Sequence, residues 1–125
     1  MSSVTPSPLP DRDDRLYLHD MVEFCERVVA YSAGHGQPAF LADRMRYDAV
    51  LRNLELIGEA ATRVPENLRQ LAPEIAWRQI VGTRNRLAQA YLGIEPETIW
   101  LIVSESVPTL LTQLRAMLAA LPPAA

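Results

Sequence analysis

Three arginines, Arg78, Arg84 and Arg86, fall between Ile75 and Ile94 with no aspartate or glutamate among them. The whole chain has twelve arginines, no lysine and fifteen acidic residues, for a net charge of -3, so this segment is a locally basic strip in an acidic protein. Arg84 is its odd member. On a helix it stands three or four residues from Ile80, Val81, Leu87 and Ala88 and seven from Trp77 and Tyr91, which puts a guanidinium in the middle of an apolar stripe. A buried charge left unpaired costs several kcal/mol, so something must meet it. The candidates are a carboxylate such as Glu59, a partner subunit, or a ligand bearing phosphate, which the planar fork of arginine binds well. Asn85 beside it offers both donor and acceptor, and Gln89 can hydrogen-bond but cannot titrate. The bland alternatives are an arginine that snorkels or pairs internally, and a strip that is an ordinary solvated helix face.

These side chains need a scaffold, and the periodicity predicts helices throughout. Residues 1–12 hold Pro6, Pro8 and Pro10 and read as a flexible leader; residues 122–125 read as a tail. Between them, 13–121 form one all-α domain. A first helix is predicted over about 13–32, with Leu16, Met21, Phe24, Cys25, Val28 and Val29 near helical spacing, ending at Gly34 and Gly36. A second is expected over about 40–64, with the stripe Met45, Tyr47, Val50, Leu51, Leu54, Ile57, Gly58 and Ala61, stopped by Pro65. A short turn of helix follows near 66–71. The basic helix is expected over about 73–92, and the last over about 96–121 with a kink before Pro108. Four or five helices with short links make a compact antiparallel bundle. In it, Gly58 would let another helix come close, and Glu59 next to it could face Arg84.

Composition removes several classes. At 49% hydrophobic and 22% charged, 125 residues can bury one core. A single cysteine, Cys25, excludes an internal disulfide framework and a multi-cysteine zinc site, and it suits a reducing, cytoplasmic setting. Its position on the apolar side of the first helix marks it as an inert core thiol. No basic start leads into an apolar run, so no signal peptide is expected. The apolar stretch 99–121 is interrupted by Glu105, Pro108, Gln113 and Arg115 and is no membrane span. A Gly-rich phosphate loop and a Gly-x-Ser-x-Gly elbow are both missing. His19 and His35 lack the glutamate three residues earlier that a di-iron bundle uses, so no metal is expected.

The run WRQIVGTRNRLAQAYLGIEPETIW over 77–100 closely resembles the HepT-like branch of the HEPN superfamily, with support from LELIGEA (54–60), VPENLR (64–69) and PEIAW (73–77). The resemblance extends over nearly all of 13–121. It implies a small all-α homodimer, a ribonuclease toxin acting on RNA, with tRNA one candidate, and a partner antitoxin of the MNT nucleotidyltransferase type. It implies metal-independent cleavage in a cleft between protomers, through a motif of arginine, a polar residue, histidine and tyrosine. Arg84, Asn85 and Tyr91 match that motif, and Arg78 and Arg86 would support it. The antitoxin of such pairs transfers AMP from ATP to the motif tyrosine, here Tyr91; the toxin itself needs no cofactor.

Position 89 departs from the pattern, carrying glutamine where the family has histidine. Cleavage by the RNA 2′-hydroxyl needs a proton acceptor or donor near neutral pH, which histidine supplies and glutamine does not. Loss of such a group slows a reaction by about 10²- to 10⁴-fold, so this chain should keep the fold and cleave poorly. An introduced substitution and a natural loss of activity both account for the glutamine. The second function class is therefore a catalytically dead HEPN dimer that binds RNA or the nucleotidyltransferase. Residues five apart on a helix diverge by about 140°, so Arg84 and position 89 converge on one phosphate only through a local distortion or across a dimer. A two-fold interface centred on the basic helix would also cover the stripe around Arg84.

Overall fold

A computed structural model describes residues 12–89 and 94–123. The leader through residue 11, the last two residues and Tyr91 lie outside the described residues. No strand occurs among the described residues, which form seven α-helices and one π-helical turn.

Helix α1, Arg12–Ser32, begins one residue inside the expected leader. Its buried line is Leu18, Met21, Cys25 and Val28, spaced three and four apart as a core-facing stripe requires. Leu16, expected in that stripe, is half exposed because it stands two residues, about 200°, from Leu18. The helix ends with the Ser32 hydroxyl donating to the Val28 carbonyl at 2.8 Å and with Gly34 at φ 76°, a conformation that suits glycine.

The expected second helix is two. Helix α2, Gln37–Ala42, stops at Asp43, and α3, Arg44–Arg63, starts there. Asp43 has extended backbone, and its carboxylate accepts the Arg46 backbone N–H at 3.1 Å. That cap restarts the chain in a new direction. The hydrogen bonds from the Arg46 backbone and side chain hold the Asp43 carboxyl below its ordinary range. Met45, expected in the buried stripe, sits in the first turn after the break and is exposed. Further on, Val50, Leu54, Ile57, Gly58 and Ala61 are buried as expected. After Val64, Arg69 of the short α4, Glu66–Arg69, caps the end of α3: its Nε donates to the Val64 carbonyl at 3.0 Å and its Nη2 to that of Ala61 at 2.6 Å.

Helix α5, Trp77–Gln89, starts four residues later than expected. Residues 70–76 are spent in turns, with Leu71 bonded to Leu68, Ala72 to Arg69 and Ile75 to Ala72. The last expected helix divides into α6, Pro96–Leu101, a π-helical turn, Ile102–Ser106, and α7, Val107–Ala120. Where a kink is expected before Pro108, the chain makes a π-helical turn. Proline has no N–H to give the ladder and crowds the carbonyl four residues earlier, and the wider turn relieves both. The Val107 N–H reaches back five residues to Ile102.

Helix α1 runs antiparallel to α3. Tyr17 near its start lies under Arg63 at the end of α3, and the carbonyl of Tyr31 at its end accepts from Arg46 at the start of α3. On its other side α1 packs against α7, tied by Arg115 to Glu26 at 2.6 Å. Phe40 joins α2 to Tyr47 and Trp100 with ring centroids 5.8 and 5.4 Å apart. Helix α5 packs closely on α3 alone among the long helices. Cys25 is fully buried, and loss of solvation pushes its thiol up to about 12, as an inert core thiol requires.

Candidate active site

The basic helix is positioned by one close contact. A Cβ placed on Gly58 would lie 2.1 Å from Cβ of Arg84 and 2.8 Å from its Cγ. Only glycine lets α3 and α5 approach this far, and the aliphatic stem of Arg84 lies on the bare backbone it leaves. The cation in the apolar stripe is thus accommodated by its stem: Arg84 is half-buried, with the guanidinium beyond the helix crossing.

There the Arg84 Nη1 donates to Oδ1 of Asn85 at 2.9 Å. Arginine only donates, so the amide must turn its oxygen to Arg84, which leaves the Asn85 NH₂ facing away. The pair therefore presents N–H donors and a positive charge, the complement of a phosphate. No ion pair joins Arg84 to Glu59 or to any other described carboxylate. Of the two places open to Glu59, facing Arg84 or on the surface, the first is not taken up, for a simple reason. Gly58 occupies the contact, and Glu59 projects about 100° further round α3.

Two hollows flank α5. One, of about 770 Å³, separates it from α6, the π-helical turn and α7. Leu54, Ile57, Ile80 and Ile102 form its floor, and Arg86 and Glu105 stand at its rim. The other, of about 580 Å³, lies against the end of α3 and α4 and is walled by Arg78 and Asn85. Arg78 is exposed and makes no ion pair with a described carboxylate. The structure thus sorts the predicted arginines: Arg84 at the helix crossing, Arg78 in one hollow and Arg86 in the other. Gln89 is the last residue of α5; its side chain, like the whole of Tyr91, lies outside the described residues.

Neither His19 nor His35 lines these hollows. The His35 ring is held 2.9 Å from the Ala33 carbonyl in the link between α1 and α2. Among the described residues no group of three or more histidines, cysteines and acids is placed to hold a metal ion. No described helix is long and apolar enough to cross a membrane. Spacing alone did not reveal the second hollow, although its signal is present: Arg78 and Asn85 are seven residues apart and so share one line along α5.

Comparison with known proteins places the chain in a family. The family described as "Ribonuclease HepT-like" matches residues 21–117. A protein of Thermococcus cleftensis named "Probable ribonuclease HepT" is 35% identical over 99 residues, 79% of this chain and 90% of that one. "Putative RNase MJ1380" of Methanocaldococcus jannaschii is 35% identical over 97 residues, 78% of this chain and 89% of its own length. "Putative RNase TTE0752" of Caldanaerobacter subterraneus is 30% identical over 104 residues, covering 83% and 93%. No solved structure gives a significant match.

Proposed function

The chain belongs to the HepT-like ribonuclease family, and from that premise we propose that it is the toxin of a toxin–antitoxin pair, built to cleave RNA without a metal ion. The observation that carries this reading is the Arg84–Asn85 pair, a set of N–H donors fixed by the Gly58 contact and held by no described carboxylate. In the reaction, the RNA 2′-oxygen attacks the adjacent phosphorus and the bond to the 5′-oxygen breaks. The products are a 2′,3′-cyclic phosphate and a 5′-hydroxyl. Arg84 holds the phosphate and stabilises the charge that grows on its oxygens, and Asn85 orients the guanidinium. Position 89 would take the 2′-hydroxyl proton, or deliver one to the leaving oxygen, when it is histidine. Glutamine can do neither, so this form binds RNA and cuts slowly.

The active unit is a homodimer. Ile80 and Leu87 of α5 are only half-buried in one copy, and the hollow beyond Ile80 has an apolar floor. A second copy would cover them and bring two motifs together. Light scattering is expected to return twice the 14.0 kDa chain mass; a mass of one chain at assay concentration contradicts the dimer. Silencing is by an MNT-type nucleotidyltransferase. The Tyr91 hydroxyl attacks the α-phosphorus of ATP, AMP is joined to the ring oxygen, and pyrophosphate leaves. Tyr91→Phe should abolish AMP incorporation.

Gln89 also favours a second reading, a dimer that binds RNA or the nucleotidyltransferase and never cuts. One assay separates the two. This chain and its Gln89→His form are incubated with total RNA and purified tRNA without added metal. Faster cutting by the Gln89→His form, by about 10²- to 10⁴-fold, supports the ribonuclease. Equal inactivity with RNA still bound supports the binding module.

A further inference from the structure

The hollow of about 580 Å³ is walled by Arg78 and Asn85 and so adjoins the position assigned to the reacting phosphate. We infer that it is a second RNA position, which seats the nucleotide next to the one held by Arg84. The inference rests on the reading of this chain as an RNA-cleaving protein.

Arg78 and Asn85 stand on one line of α5, seven residues and so about 10 Å apart along its axis. A single strand that leaves the Arg84–Asn85 pair toward the start of α5 therefore meets Arg78. Charge agrees. Arg78 is exposed and unpaired among the described residues, and Glu66 is the one carboxylate in the wall. Arg69, the other cation there, is already committed to the carbonyls of Val64 and Ala61. It adds positive potential without being able to follow a ligand.

The floor is rigid and apolar. Trp77 is 8% exposed, its indole N–H donates to the Ala72 carbonyl at 3.1 Å, and the Arg69 guanidinium lies 5.8 Å from its ring centroid. Val81 continues that surface. At the rim the Gln70 amide is exposed and can donate or accept, as a base edge or a 2′-hydroxyl requires. The volume is within the roughly 300–1,000 Å³ of pockets that bury small ligands. The arrangement suits one unstacked nucleotide: phosphate on Arg78, base against Val81 and the exposed edge of Trp77, and Gln70 on its polar edge. Paired RNA does not offer a base in this way, so the substrate class is single-stranded.

The chain with Gln89 cuts slowly and serves directly in a binding experiment. A fluorescein-labelled single-stranded RNA of ten nucleotides is titrated by anisotropy at several salt concentrations. Arg78→Ala should weaken binding about tenfold and lower the salt slope by about one. Arg78→Lys should retain most of the affinity. Arg44→Ala, which removes from α3 an exposed charge outside the hollow that is paired with Asp48, should leave the slope unchanged. Gln70→Ala should alter the preference among homopolymers with little change in slope. Equal losses for Arg78→Ala and Arg44→Ala, or no loss for Arg78→Ala while Arg84→Ala releases the RNA, overturn the second position and leave the ribonuclease reading standing. If the chain binds no RNA and Gln89→His does not cut, both readings fall.

Discussion

The two sides of α5 are built on opposite terms. Toward α3 the helix is so close that Gly58 has no room for even a methyl group against Arg84. Toward the π-helical turn and α7 it stands off across about 770 Å³, with isoleucines on the floor. The closed side fixes where the guanidinium sits, and the open side leaves apolar surface for another chain to cover. A helix packed equally on both sides would bury its apolar stripe within one copy and leave no such surface. The α1–α3–α7 side of the bundle supplies the contrast, since Leu18, Met21, Cys25 and Val28 are all fully buried within one copy.

Breaking the closed side should have the largest effect on stability. Gly58→Ala forces α3 and α5 apart, because the obstructing atoms are the Cβ and Cγ of Arg84 rather than a movable tip. The expected cost is about 1–3 kcal/mol, read as a lower denaturant midpoint, and Arg84 loses its register with RNA binding reduced. An unchanged midpoint would mean the helices are not held where the structure has them. On the open side, Ile80→Asp should leave the fold of one copy in place by circular dichroism and convert the proposed dimer to monomer in light scattering. A variant that stays dimeric would move the interface elsewhere.

The buried core gives a sharper test of the same contrast. Because burial pushes the Cys25 thiol up to about 12 from an ordinary 9.0, the folded state holds its proton more firmly than the unfolded one. That contribution is complete below pH 9.0 and is lost as pH rises toward 12. Alkylation of Cys25 at pH 8 should therefore proceed only at the rate of unfolding, and rapid labelling of the folded chain would contradict the burial. The smallest effect belongs to Asp43, whose pKa is lowered by hydrogen bonds from Arg46. Its contribution is present above the ordinary carboxylate value of 3.8 and fades as pH falls through the lowered one. Asp43→Ala should reduce the melting temperature slightly at pH 7 and flatten its decline in acid; an equally steep decline would show that the cap is not formed.

Much of this design is legible in the residues. The all-helical bundle follows from periodicity, and the close approach at Gly58 from a glycine set in an apolar stripe. Arg84 is marked by the apolar residues three and four positions to either side of it. What stays hidden depends on geometry that spacing does not encode. Asp43 lies inside a helical pattern and breaks it by capping the next segment. Glu59 adjoins Gly58 in sequence but is turned away from Arg84 by a single residue's rotation. Pro108 announces an irregularity in the helix, while the π-helical turn it takes depends on how the chain relieves the proline. The two hollows beside α5 arise from the approach of whole helices, and only the Arg78–Asn85 line hints at one of them.

The most direct test of the central claim is the pH–rate profile of RNA cleavage by the Gln89→His form, measured with and without Arg84→Ala. The account predicts a rate governed by a group titrating near the ordinary histidine value of about 6.5. It also predicts a fall of roughly 10- to 100-fold when the charged hydrogen-bond donor is removed. Cleavage no faster than that of the Gln89 chain, or a rate indifferent to Arg84, would contradict it.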